Sequence, residues 1–250
     1  PFINRNLTSN MPSVDDNYAE PYGNNIKKLR GAKGGGALAN HNGIVDAISD
    51  WLLTAHIPHK GGVRGRPKTC KDMFTHITQA LNPEDLNPNE HRTLQKIIPD
   101  LVPDFRSLPE DIEDISAAPL AGFKVMVDVK TLACNGSYQG PNATPAETRQ
   151  SHAAAEYTRR AKDIDAKLGT PAGEEGPMTA EMKTYGSPPG QALAPVVGAF
   201  GELSSDMYGL ADMIAAAMTE DHLQFYKGSE KETRGMFRQR VLRDWGHAAH

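Results

Sequence analysis

Two cysteines in 250 residues, Cys70 and Cys134, are too few for a disulfide framework. They set the expectation of a reducing, intracellular compartment. Aromatic residues are sparse at 6%, and hydrophobic residues reach 38%, enough for a packed core but not a rich one. No run of about 18 apolar residues occurs, so no membrane-spanning helix is expected and no membrane partner. No basic segment followed by an apolar one opens the chain, so no signal peptide is expected. An opening Pro1 in place of methionine fits a piece excised from a larger protein. Positive charge is not in excess: 27 Lys and Arg stand against 31 Asp and Glu, a net −4. That excludes a uniformly basic nucleic-acid binder and leaves a local basic surface open. The length suits one large domain or two small ones.

Local charge is uneven. Residues 26 to 71 hold nine Lys or Arg against two Asp, a local +7 in an otherwise acidic chain. Within it, Arg64-Gly65-Arg66-Pro67 resembles the core of an AT-hook, in which arginines enter a narrow minor groove of strong negative potential. Arg64, Arg66 and Lys68 are therefore candidate nucleic-acid contacts, against the plainer reading of a basic turn. His56, His59, Cys70 and His76 fit no familiar zinc spacing.

The organisation follows from composition. Residues 1–36 read as a flexible basic arm rich in Asn, Pro, Gly and Ser, closed by Gly34-Gly35-Gly36. Residues 37–222 read as the core domain, and residues 223–250 as a basic C-terminal helix. Within the core, Asn40 to Thr54 is an expected helix, with Ile44, Ala47, Ile48, Trp51 and Leu52 on one face. Pro145 to Leu168 is another, capped by Thr144, with Pro145 in its first turn. Ala192 to Phe200 is nearly all apolar, as a strand buried on both faces would be. Ser204 to Asp206 can cap a helix over Met207 to Met218. The acidic run Glu110 to Asp114 reads as a solvated loop.

The chemistry concentrates between Ile97 and Leu132. Along Phe123 to Lys130, Phe123, Val125, Val127 and Val129 fall on one strand face. Lys124, Met126, Asp128 and Lys130 fall on the other. Pro99-Asp100 opens an earlier apolar run. If the two runs pair, Asp100 and Asp128 can share one divalent cation with Lys130 beside it. Such a cation takes oxygen ligands and makes bound water nucleophilic at neutral pH. Asp104 also follows a proline and rivals Asp100, which is favoured because Leu101-Val102 follows it directly.

Pro99-Asp100 with Asp128-Val129-Lys130 resembles the PD-(D/E)XK nuclease superfamily, over roughly residues 38 to 218. The resemblance implies an α/β restriction-endonuclease-like core: a mixed central sheet flanked by helices in αβββαβ order. It implies a metal-dependent DNA endonuclease, possessed of a Mg2+ (or Mn2+) held by Asp100, Asp128 and the Val129 carbonyl. Lys130 would orient or deprotonate the attacking water. It also makes His41 and Asp46, on the first helix, and Gln150, Tyr157 and Arg160, on the helix after Lys130, candidates to face the site; Arg160 is a candidate contact to nucleic acid. DNA is the implied partner, and a homodimer is compatible. The pattern departs from the family in lacking a clear additional glutamate, although Glu156 and Glu202 are available. The alternative is a non-catalytic nucleic-acid-binding or structural protein on the same fold.

Overall fold

The computed structural model describes residues 35–62, 70, 73–81, 97–108, 120–132, 144–185 and 192–248. The chain divides into two units, Pro1–Ala39 and Asn40–His250, and the account below concerns the second. Arg64, Arg66 and Lys68 lie outside the described residues, as do the acidic run Glu110 to Asp114 and Cys134.

The elements run in the order α1 (Gly35–Thr54), β1 (His59–Gly61), α2 (Thr75–Thr78), β2 (Leu101–Pro103), β3 (Lys130–Thr131), α3 (Pro145–Lys167), α4 (Pro177–Met182), β4 (Val196–Val197), α5 (Ser205–His222) and α6 (Glu230–Ala248). The chain is thus mixed α/β, mostly helical, with a small sheet. β1 pairs antiparallel with β2, His59 opposite Pro103. β2 continues onto the stretch before β3 through the antiparallel pair Leu101–Val127. There the two residues exchange backbone hydrogen bonds of 2.9 and 3.1 Å. On its far side that stretch meets Leu193 in parallel, and β3 pairs in parallel with β4. The regular strands are short because Pro103 and Pro195 have no N–H to give to a ladder. Their carbonyls still accept, from Val125 (3.0 Å) and Lys130 (2.9 Å) respectively.

Side-chain alternation divides the core in two. Val125, Val127 and Val129 join Ile44, Ile48 and Leu52 of α1, Leu210 and Ile214 of α5, and Phe237, Val241 and Trp245 of α6. Met126 points the other way, to Tyr157, Ala161 and Ile164 of α3 and Met178 and Met182 of α4. Each such aliphatic side chain taken wholly from water stabilises the fold by roughly 1.5–3 kcal/mol. The C-terminal helix expected within residues 223–250 is α6, Glu230–Ala248, and Phe237, Val241 and Trp245 bury one of its faces in the core. Its basic side is in part neutralised: Arg238 pairs with Asp212 and lies over the Tyr208 ring, 5.3 Å from its centre.

Two expected helix caps are not made. Neither Thr144 nor Ser204 caps its helix with its side chain. Ser204 Oγ instead accepts from the Val196 N–H of β4 (2.9 Å), and Asp206 accepts from Ala194 N–H (2.8 Å). The first amides of α5 are satisfied from α3: Glu147 accepts from Ser205 N–H (2.7 Å) and Gln150 from Asp206 N–H (3.0 Å). Tertiary partners thus do the work of local caps. The expected strand to Phe200 stops at Val197, where Gly198 to Glu202 turn back on themselves with Gly201 in left-handed backbone, φ +78°. Among the described residues no helix is long and apolar enough to cross a membrane.

Candidate functional site

The antiparallel pair Leu101–Val127 sets the register. Asp100 and Asp128 flank that pair on neighbouring strands, and the amides of both Asp100 and Leu101 donate to the Val127 carbonyl (2.9 and 3.1 Å), the mark of a bulge at Asp100. Both carboxylates are buried, 5% and 8% exposed. Like charges placed so destabilise a sheet unless something compensates.

Compensation comes from three directions. Val129 N–H donates to Asp100 Oδ2 at 2.9 Å. Lys130 Nζ lies 2.6 Å from Asp128 Oδ2. His41, early in α1, places Nε2 3.2 Å from Asp100 Oδ2 and 3.1 Å from the Val129 carbonyl oxygen. Both partners are acceptors, which assigns the proton to Nε2. The hydrogen bond to Asp100 raises the His41 pKa above its ordinary 6.5, against the opposing effect of burial. Burial pushes the Asp128 carboxyl up, with Lys130 working against it and Asp100 with it. Burial likewise pushes up the Tyr157 hydroxyl, with Asp128 and Asp100 adding to the effect.

The structure thus brings together Asp100, the Val129 carbonyl and His41, and pairs Asp128 with Lys130, while Tyr157 lies buried in the cluster around Met126. The other candidates lie elsewhere or have other partners. Asp104 is held by Arg106 in a two-point contact (2.8 and 2.7 Å), and that pairing holds its carboxyl below the usual range. Gln150 serves the start of α5, as described. Arg160 pairs with Glu156 one turn away, its side chain 16% exposed, rather than standing out as a phosphate contact. Asp46 lies on α1 about 140° round the helix from His41. Glu202 accepts from the Phe200 N–H (3.1 Å) within the turn after β4. Of the residues weighed for zinc, His59 bonds Ser49 Oγ (2.8 Å), and burial raises the Cys70 thiol to about 11.

Among the described residues, no group of three or more His, Cys, Asp and Glu side chains is placed to hold a metal ion. The oxygen donors near one another are of a different kind: two buried carboxylates on neighbouring strands and one main-chain carbonyl. Asp100 Oδ2 and the Val129 oxygen already meet at one donor, His41 Nε2. An all-oxygen set of this composition suits Mg2+ or Mn2+. The resemblance made His41 a candidate beside the reading of a helix cap or solvated face, but nothing local in the sequence links it to Asp100, 59 residues away. No family model, no curated protein and no solved structure matches the chain.

Proposed function

We propose that this chain is a metal-dependent nuclease of the PD-(D/E)XK kind, with a restriction-endonuclease-like core, that hydrolyses DNA phosphodiester bonds. The observation that carries the reading is the burial of Asp100 and Asp128 on neighbouring strands, on either side of the Leu101–Val127 pair, with Lys130 on Asp128. Two carboxylates buried so near each other weaken a metal-free fold, and an arrangement of that kind is characteristic of functional sites. The order helix, three strands, helix, strand, with the short α2 and α4 interposed, supports the same reading.

Asp100, Asp128 and the Val129 carbonyl would hold Mg2+ or Mn2+. Such an ion, when bound, supplies Lewis-acid stabilisation of the phosphoryl oxygens and acidifies a water ligand. The residues themselves have distinct tasks. Val129 N–H and His41 orient Asp100. Lys130, its side chain 26% exposed, is the cation nearest solvent in the cluster and would orient the attacking water or balance charge on the phosphate. Purified protein is expected to nick plasmid DNA with Mg2+ and not with EDTA. Asp128→Asn and Lys130→Ala should abolish nicking without unfolding the protein; undiminished nicking in both rejects the assignment.

A second reading, a non-catalytic nucleic-acid-binding protein, has one observation in its favour: the net +7 of residues 26 to 71. It requires salt-sensitive DNA binding that is indifferent to EDTA. Filter binding at two salt concentrations, with and without EDTA, separates the two. A homodimer acting on both strands of a duplex is compatible with the nuclease reading, and sedimentation of the DNA complex tests it.

A further inference from the structure

Four large hydrophobic side chains stand exposed among the described residues: Leu53, Phe200, Tyr208 and Phe225. Singly, such residues are ordinary. Tyr208 lies under Arg238, and Phe225 meets the His222 ring at 6.2 Å. Phe200 differs in how it is held and where. After β4 the chain turns back at once, Val197 pairing antiparallel with Leu203, and Phe200 sits in the reversal, 54% exposed. The reversal is braced. Gly198 N–H donates to the Glu202 carbonyl (2.8 Å), Gly201 N–H to the Gly198 carbonyl (3.1 Å) and Phe200 N–H to Glu202 Oε2 (3.1 Å). The Glu202 carboxyl folds over Gly198, where an added Cβ would collide with it. The ring is thus displayed from a fixed backbone.

Its place in the sheet points to the ligand. β3 lies beside β4 in parallel, Lys130 opposite Val196 and Thr131 opposite Val197. Lys130 in turn pairs with Asp128. Phe200 follows Val196 by four residues, a reach of at most about 14 Å. In open α/β sheets, ligands gather outside the carboxyl ends of the strands. Exposed Arg149, early in α3, adds a cation at the same end: Glu147, two residues before it, takes the Ser205 N–H just after the hairpin (2.7 Å). An aromatic face with cations near it suits a nucleobase on a phosphate backbone, and a base offers its face only when it is unstacked. We propose that Phe200 is a stacking platform for an unpaired base near the cleaved phosphate, so that the substrate is single-stranded or locally opened DNA. This rests on the nuclease reading of Asp100, Asp128 and Lys130.

The test measures binding of the full chain to an oligo(dT) strand and to the matching oligo(dA)·oligo(dT) duplex in EDTA, and cleavage of both in Mg2+. The single strand should bind more tightly and be the better substrate. Phe200→Ala should bind the strand about tenfold more weakly, with duplex binding unchanged. Phe200→Trp should keep the wild-type affinity, and the strand should quench its added indole fluorescence over the Trp51 and Trp245 signal of wild type. A merely structural role would not give that quenching. Unchanged strand affinity in Phe200→Ala, no quenching in Phe200→Trp, or a preference for intact duplex overturns the platform, and the nuclease reading stands on Mg2+-dependent cleavage alone. No Mg2+-dependent cleavage of either DNA by wild type overturns the nuclease reading and, with it, the placement beside a cleaved phosphate.

Discussion

Asp100 and Asp128 flank the antiparallel pair Leu101–Val127 on neighbouring strands, both buried, with Lys130 Nζ 2.6 Å from Asp128 Oδ2. Removing one carboxylate should relieve the sheet. In EDTA, Asp128→Asn is expected to raise the unfolding midpoint, a stabilisation of about 1 kcal/mol, while nicking is lost. Thermal melts beside a plasmid assay check both halves. A large loss of stability would mean that Asp128 is a structural ion-pair partner instead.

Lys130→Met keeps the stem and removes the charge. Nicking should fall by about 10²–10⁴-fold, whereas Mn2+ binding should persist, since lysine is not among the donors. Loss of both together would show that Lys130 holds the site's shape rather than acting on water or phosphate.

His41 links stability to pH. Its folded pKa lies above 6.5 because of Asp100. A group with a raised folded pKa stabilises fully below its unfolded value and loses that contribution as pH rises through the folded value. In EDTA, His41→Gln should therefore destabilise the protein more at about pH 5.5 than at about pH 8. Urea midpoints of the two proteins at both pH values measure the gap, and an equal gap at the two values would contradict the pairing.

Gly61 tests how tightly β1 closes on the site strand. Its backbone is left-handed, φ +80°, and an added Cβ would fall 2.0 Å from the Asp100 carbonyl oxygen. Because that obstacle is backbone, Gly61→Ala is expected to destabilise by about 2 kcal/mol or more. Denaturant unfolding measures it, and a neutral outcome would contradict the β1–β2 register.

Glu147 and Gln150 supply acceptors for the first amides of α5, at 2.7 and 3.0 Å. Their replacement by alanine together should cost about 1 kcal/mol of stability, with Mn2+ affinity unchanged. A change in Mn2+ affinity would return Gln150 to the cation site, from which the structure separates it.

The amino-acid sequence by itself determined the alternation of Phe123 to Lys130, because a strand's period of two needs no distant partner to be read. Helical spacing likewise marked the packing face around Ile44 and Ile48. Tertiary structure decided the rest. Whether Asp100 or Asp104 would lie beside the strand end that carries Asp128 depended on strand register, which no local pattern sets: Asp100 takes the Val129 amide, and Asp104 bridges to Lys124. That His41 closes on Asp100 and the Val129 carbonyl, and that Glu147 and Gln150 serve the first amides of α5 where Ser204 was expected to, are contacts between residues far apart in the chain. The basic tail joined the core for the same reason: charge is visible residue by residue, but the burial of Phe237, Val241 and Trp245 depends on what packs against them.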